Sequence, residues 1–178
     1  MRSNRQTPHA GRTSGGSAGL TLIELVVALA VLAVLGSLAL PNLGARLDRG
    51  RVVAAAEALA ADINETRFEA ARQGRAMHLL VSTGPAWCWS VASQAPCPCG
   101  GGQACQLRMS SEKDHPGVVL AAGSTITMAP DGRPQAEPGP LELQGRNGLR
   151  LRVAVTPMGR AHVCTVHGEA LRHPRCQG

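Results

Sequence analysis

The sequence is poor in aromatic residues. Its 178 residues include no tyrosine, one phenylalanine (Phe68) and two tryptophans (Trp87 and Trp89). A hydrophobic core must therefore be built from aliphatic side chains and methionine, which suits a small domain better than a large one. The length allows one domain plus an anchor. Because unpaired bases stack on aromatic side chains, single-stranded nucleic acid is a poor candidate ligand.

The motifs of common enzymes and zinc sites are also lacking. The histidines form no H-E-x-x-H motif, and the chain has no nucleophile elbow. The glycines at 100–102 lie among cysteines and prolines, where they do not form a phosphate-binding loop after a strand. The cysteine spacing C-x8-C-x-C-x5-C differs from the C-x2-C pairs of zinc sites. We therefore expect no catalysis, no metal and no cofactor.

The first 19 residues contain no acidic residue, although they carry Arg2, Arg5 and Arg12. The net charge is +6, and without this segment 15 basic and 12 acidic residues leave +3. The segment is rich in glycine and serine and has no apolar periodicity, which predicts a disordered basic tail.

Residues 20–40 are almost entirely apolar, and only Thr21, Glu24, Gly36 and Ser37 interrupt them. As a helix, such a segment extends over roughly 32 Å, about the thickness of a bilayer core. Arginines on its N-terminal side predict that this end lies in the cytoplasm. A cleaved signal peptide or a plain signal anchor would also fit. Neither explains Glu24, because a carboxylate is costly in hydrocarbon unless it is paired.

A second helical segment is predicted after Pro41, at which we expect a kink. Its apolar residues recur at helical spacing, and Gly74 is a suitable C-cap. These apolar residues are Val52, Ala56, Leu59 and Ile63. We therefore expect one helix of about 50 residues, facing lipid in its first half and amphipathic in its second.

Short segments rich in β-forming residues follow Gly74, separated by glycine and proline. The candidate strands are 76–82, 87–92, 104–109, 117–121, 124–128, 148–155 and 161–167, and residues 130–140 are predicted to form a loop. In 148–155 the apolar residues alternate with Arg150 and Arg152, which predicts one buried and one basic face.

Residues 19–24, G-L-T-L-I-E, closely resemble the prepilin processing motif, usually written G-F-T-L-I-E. In that family a membrane peptidase cuts after the glycine and methylates the new amine. The resemblance implies cleavage after Gly19, a methylated Leu20 at the mature N-terminus, and Pro41 at a position where many pilins carry proline. It also implies that Glu24 pairs with the N-terminal amine of a neighbouring subunit. The alternative is that Glu24 lies near the membrane surface and reaches water.

A long helix before a β-rich domain that ends in 156–164 (TPMGRAHVC) and 173–176 (HPRC) resembles the GspH/FimT group of minor pilins and pseudopilins. The implied fold is α+β and type IV pilin-like, with the helix packed on a small antiparallel sheet. The implied partners are other pilins, the prepilin peptidase and the inner membrane, in a type II secretion pseudopilus or a type IV pilus. The implied organisation is a cleaved leader (1–19), a transmembrane half-helix (20–41), an amphipathic half-helix (42–74) and a periplasmic β-rich domain (75–178).

DNA-uptake members of the FimT type carry a G-R-x-R motif that contributes to DNA binding. The matching residues are Gly159, Arg160, Ala161 and His162, so a mostly neutral histidine replaces the second arginine. Further bases nearby could neutralise the phosphates of double-stranded DNA. They are Arg146, Arg150, Arg152, Arg172 and Arg175. The alternative is a solvated basic face, or one that meets an acidic neighbouring subunit.

Six cysteines follow the apolar segment, which predicts disulfides in an oxidising compartment. Cys164 and Cys176 resemble the C-terminal pair of FimT-like proteins. The remaining four, Cys88, Cys97, Cys99 and Cys105, allow three pairings. Cys97 and Cys99 are poor partners because one residue separates them. A cross-strand Cys88–Cys105 bridge is our hypothesis.

Overall fold

The computed structural model describes residues 21–93, 95–99, 105–170 and 172–177, without the side chains of residues 38–43. The chain divides into two compact units, residues 1–40 and 41–178. Helix α1 spans Leu22–Gln73 and confirms the expected length. After it the described residues form eight strands: β1 Met77–Ser82, β2 Cys88–Ala92, β3 Gln106–Ser111, β4 Val118–Ala122, β5 Ile126–Met128, β6 Glu142–Gly145, β7 Arg150–Val155 and β8 Ala161–His167.

The apolar stripe predicted for the second half of α1 is confirmed, because Val52, Ala56, Leu59 and Ile63 are fully buried. The helix ends as expected at Gly74, whose φ of 62° is easily reached only without a Cβ. The amide of Arg75 donates to the carbonyl oxygen of Ala70 over 3.3 Å. This bond is the long-range one of a Schellman cap.

The strands form two antiparallel sheets, where the sequence indicated only a small antiparallel domain. One sheet has the order β3-β2-β1-β5 and the other has the order β4-β6-β7-β8. Seven strands match the predicted segments within about two residues, and the predicted segment 104–109 begins in the part outside the described residues. Strand β6 was missed, since it has four residues and follows a proline-rich loop.

Side chains from α1 and from both sheets share one hydrophobic core. Trp87 and Trp89 are buried in it, and each indole N–H finds an acceptor, as buried indoles generally do. Nε1 of Trp87 donates to the carbonyl oxygen of Val118 over 2.9 Å, which connects the chain before β2 to the second sheet. His115 stacks on both indoles at centroid distances of 6.1 and 5.7 Å. Burial lowers the pKa of this imidazole, against the opposing effect of Asp114.

All six cysteines are paired, but the hypothetical Cys88–Cys105 bridge is wrong. The structure joins Cys88 to Cys99 and Cys97 to Cys105. Strands β2 and β3 run antiparallel with Cys88 opposite Ser111, so Cys105 lies at the far end of the pair. The two bridges hold Cys97 and Cys99 over the outer face of β2, where the hydroxyl of Ser90 donates to the carbonyl of Cys97. This cover leaves all of β2 buried.

The C-terminal tail covers the outer edge of β8, which would otherwise expose unpaired backbone groups. The Cys164–Cys176 disulfide, expected from the resemblance, ties the tail to this strand. The amide of Thr165 donates to Pro174 over 2.8 Å, and the amide of Cys176 donates back to Thr165 over 3.0 Å. The tail therefore adds a short parallel segment to the second sheet.

Candidate functional site

The first part of α1 exposes apolar side chains on every side of the helix. Its large apolar residues are 51% to 80% exposed: Leu22, Ile23, Leu25, Val26, Val27, Leu29, Val31, Leu32, Val34 and Leu35. Continuous apolar surface of this kind marks a site of association with protein or lipid. Among the described residues no helix reaches the length and apolarity required to cross a membrane. The transmembrane half-helix over 20–41 stays a prediction, since residue 20 lies outside the described part.

Glu24 lies in the first turn of α1 and is exposed. The backbone amide of Glu24 donates a hydrogen bond to the hydroxyl oxygen of Thr21 over 3.3 Å, so Thr21 caps the helix. The order Thr-x-x-Glu is that of a capping box, and a carboxylate here also complements the helix dipole. We missed this local role, although the T-x-x-E spacing signals it. Gly19, Leu20 and the side chain of Pro41 lie outside the described residues.

In contrast to Glu24, Asp62 is a buried acid with two partners inside the chain. Its carboxylate accepts a 2.7 Å hydrogen bond from Nε1 of Trp89 and forms a 2.8 Å ion pair with Arg108 of β3. The hydrogen bond to Asp62 raises the pKa of the Arg108 guanidinium. No motif in the sequence pointed to Asp62. Its spacing of three from Leu59 and four from Thr66, both buried, is the signal that places it on the buried face of α1.

The turn between β7 and β8 contains the motif residues Gly159 and Arg160. Gly159 is buried with φ of 76°, and a Cβ there would run into the carbonyl oxygen of Gly132. Nε of Arg67 donates to the carbonyl of Met158 over 2.8 Å. This glycine is therefore required by backbone packing, whatever the adjacent arginine does.

The start of β8 is attached to α1 by one asparagine side chain. Nδ2 of Asn64 donates to the carbonyl of Ala161 over 3.1 Å, and Oδ1 accepts from the amide of Ala161 over 2.9 Å. The amide side chain thus pairs with the strand edge as a neighbouring strand would. Arg160, one residue earlier, is exposed. Its turn is held to α1 on one side by Arg67 and on the other by Asn64.

Arg150 and Arg152 lie on the outer face of β7, as predicted, but that face is not simply basic. Two guanidinium nitrogens of Arg152 donate to Oε1 of Glu142 over 3.0 and 2.8 Å. Arg150 lies 3.9 Å from the same carboxylate and donates to Gln144 over 3.2 Å. Glu142 lies on the missed strand β6, which explains why the sequence suggested a more basic face.

The remaining DNA-binding candidates do not form one patch. The register places His162 opposite Ala154, on the same face as Arg152. Arg146 and Arg160 lie in the turns at opposite ends of β7. Arg172 and Arg175 belong to the exposed tail beyond β8. The structure thus places only His162 with the two arginines of β7, and Glu142 offsets part of their charge.

The family model for the type II transport protein GspH matches residues 55–159, more than half of the chain. The chain therefore belongs to the GspH family and is a GspH/FimT-like minor pilin. Two crystal structures of the type IV minor pilin FimU from Pseudomonas aeruginosa (strain PAO1) resemble it. One, in space group P65, shares 21% identity, covers 62% of this chain and 90% of that chain, and gives a TM-score of 0.44. The other, in space group P21, shares 18% identity, covers 67% of this chain and 90% of that chain, and gives a TM-score of 0.46. No protein with a curated description matches the chain.

Proposed function

We propose that this chain is a minor subunit of an envelope filament, either a type II secretion pseudopilus or a type IV pilus. Its role is assembly or initiation at the tip, without catalysis of its own. The observation that carries this proposal is the apolar surface of residues 22–35, which is exposed on all sides. Helices of neighbouring subunits would cover it in the filament, and lipid would cover it before assembly.

Processing would prepare the helix for assembly. In this proposal the prepilin peptidase removes residues 1–19 at the inner membrane and methylates Leu20. The β-rich domain then lies in the periplasm, where the three disulfides are stable. A carboxylate in an apolar environment is costly without a partner, so pairing between Glu24 and the amine of a neighbour favours the assembled state.

The substitution Glu24→Gln separates the assembly role from the capping role. Glutamine replaces glutamate in capping boxes, whereas it cannot form an ion pair with an amine. We expect at least about tenfold less chain in filaments sheared from its native cells, with membrane levels unchanged, because a charge-assisted contact is lost. Glu65→Gln, an exposed acid later in α1, is the matched control and keeps normal incorporation. Normal incorporation of the Glu24→Gln chain would contradict the pairing.

A DNA-binding role is the second candidate, favoured by the exposed Arg160 on its fixed turn. The ion pairs of Arg150 and Arg152 with Glu142 weaken it. A gel shift of the full chain in detergent with duplex DNA tests it at two salt concentrations, since phosphate contacts give salt-dependent affinity. A DNA receptor predicts salt-sensitive binding that Arg160→Ala reduces and that Arg75→Ala, an exposed arginine elsewhere, leaves unchanged. Binding that is absent or equal in both variants would contradict this role.

A further inference from the structure

A cleft with a basic rim lies between the second half of α1 and the C-terminal tail. Its volume is about 520 Å³. Arg46 and Arg49 line it from the helix and Arg172 lines it from the tail, while Val53 and Ala170 supply apolar wall. We call these five residues, together with His173, the basic cleft. It shares only Arg172 with the proposed DNA-binding set, and the other five residues have no part in the proposed assembly or DNA-binding roles.

The three arginines of the basic cleft are free to bind a ligand. None of Arg46, Arg49 and Arg172 forms an ion pair or a side-chain hydrogen bond with another residue in the described parts of the chain. Asp48 pairs with Arg51 at 3.1 Å, outside the cleft. Glu57 lies beside the cleft, where one of its carboxylate oxygens is 3.2 Å from Nε2 of His173 and contacts none of the three arginines. Three guanidinium groups without acidic partners are thus gathered around one cavity.

His173 provides a second, independent sign of a binding site. Its Nε2 atom is buried, and within the described structure it has no hydrogen-bond partner of suitable geometry, despite the nearby Glu57 carboxylate. A buried polar atom without a hydrogen bond is costly, so a ligand atom that satisfied it would bind more tightly. This imidazole lines the same cavity as the three arginines.

The chemistry of the basic cleft fits an anionic amphiphile. Guanidinium groups bind phosphate oxygens through paired hydrogen bonds, and the apolar wall suits the glycerol carbons of a headgroup. Double-stranded DNA fits less well, because a duplex presents its phosphates on a wide convex surface that does not enter a cavity of this size.

Position in the sequence favours lipid. Arg46 and Arg49 follow Leu40, the end of the apolar run, by only six and nine residues. A helix that left hydrocarbon there would carry the backbone of Arg46 about 9 Å and that of Arg49 about 14 Å beyond it. Their long side chains can reach back to the headgroup layer, which is about 5–8 Å thick. Arginine is less frequent on the outer side of a membrane segment than on the cytoplasmic side, and binding of an anionic headgroup would explain two unpaired ones there.

We propose that the basic cleft binds the phosphodiester headgroup of an anionic phospholipid while the subunit is held in the inner membrane. The proposal rests on the membrane stage of the proposed function. Arg49 and Arg172 bind the phosphate from two sides, and Val53, which lies farther from the bilayer than Arg49, contacts the carbon atoms of the headgroup. Binding would hold the tail against α1 until the subunit enters a filament.

The test uses the full chain in a neutral detergent, with lipid binding followed by native mass spectrometry and by thermal unfolding. The probes are phosphatidylglycerol, phosphatidylcholine, inorganic phosphate and a short DNA duplex. The key variant is Arg49→Gln/Arg172→Gln, and Arg75→Gln/Arg133→Gln removes two charges from exposed positions elsewhere. Arg49→Lys/Arg172→Lys keeps the charge and loses the paired hydrogen bonds.

We expect phosphatidylglycerol to bind and stabilise the wild-type chain and the control variant. The glutamine variant should bind it at least about tenfold more weakly, and the lysine variant should fall between them. Equal binding by the glutamine variant, or equal affinity for phosphatidylcholine, would overturn the proposal. So would a cleft-dependent preference for free phosphate or for duplex DNA.

The readout does not depend on filament formation. If lipid binding fails while Glu24→Gln still blocks incorporation, the cleft proposal falls and the filament role stands. If lipid binding is normal in the glutamine variant but incorporation is lost, the cleft contacts a neighbouring subunit, and the lipid assignment is wrong.

Discussion

Residues 22–37 and residues 52–70 belong to the same helix, yet their apolar side chains meet opposite environments. Leu32 is 63% exposed, whereas Leu59 is fully buried against the sheets. Burying a leucine is worth about 1.5–3 kcal/mol. Residues 52–70 gain this free energy of burial within the chain. Residues 22–37 do not, so their apolar side chains gain it only when lipid or neighbouring subunits cover them.

The largest effect should come from shortening one leucine in each segment. Leu59→Ala leaves a cavity in the core and should lower the free energy of unfolding by about 2–5 kcal/mol. Leu32→Ala removes an exposed side chain and should change it by less than about 0.5 kcal/mol. Denaturant unfolding of the full chain in detergent measures both. Similar losses in the two variants would show that residues 22–37 also pack within the chain.

In the turn after β7, a buried residue that stability depends on lies next to an exposed residue that it does not depend on. Gly159→Ala should cost about 2 kcal/mol or more, because alanine is strained at a positive φ and its Cβ meets the carbonyl of Gly132. Arg160→Ala should leave stability within about 0.5 kcal/mol, since its side chain is exposed. Thermal unfolding compares the two. A stable Gly159→Ala chain would contradict the close packing of Gly159 against the carbonyl of Gly132.

The two acids of α1 sharpen the comparison further. Asp62→Asn removes the charge that pairs with the partly exposed Arg108, and should cost about 1–2 kcal/mol of folding stability. Glu24→Gln should cost less than about 0.5 kcal/mol while it blocks assembly, since its proposed partner is on another subunit. Chemical unfolding measures the first effect and filament recovery measures the second. If instead Glu24→Gln destabilised the isolated chain and Asp62→Asn did not, the assignment of partners would be reversed.

The smallest effect concerns pH. Burial lowers the pKa of His115, so the unfolded chain takes up a proton at higher pH than the folded chain does. This contribution to stability is complete above about pH 6.5 and is lost as the pH falls through the lower folded value. Melting temperatures between about pH 7 and about pH 5 should fall less in His115→Gln than in wild type. The exposed His167→Gln is the control, and an unchanged pH dependence in His115→Gln would contradict the account.

The sequence predicted best those features that depend on the residue pattern within a single helix or strand. The helical spacing of Val52, Ala56, Leu59 and Ile63 predicted the buried stripe, and Gly74 predicted the helix end. Most strands were found because β-forming runs are bounded by glycine and proline.

Features that depend on contacts between elements could not be predicted in the same way. The disulfide pairing follows from the register of β2 on β3, which spacing alone does not reveal. The pairing of Arg152 with Glu142 depends on β6, a strand of only four residues. The basic cleft brings residues 46–53 together with Ala170, Arg172 and His173, more than a hundred positions away in the sequence.

The mass of the mature N-terminus tests the central claim most directly, namely that residues 20–37 are the assembly element of a processed filament subunit. Mass spectrometry of the chain purified from membranes of its native cell should show a start at Leu20 with a methylated amine. It should also show loss of residues 1–19. A chain that begins at Met1, or one cut beyond Leu40, would contradict the account.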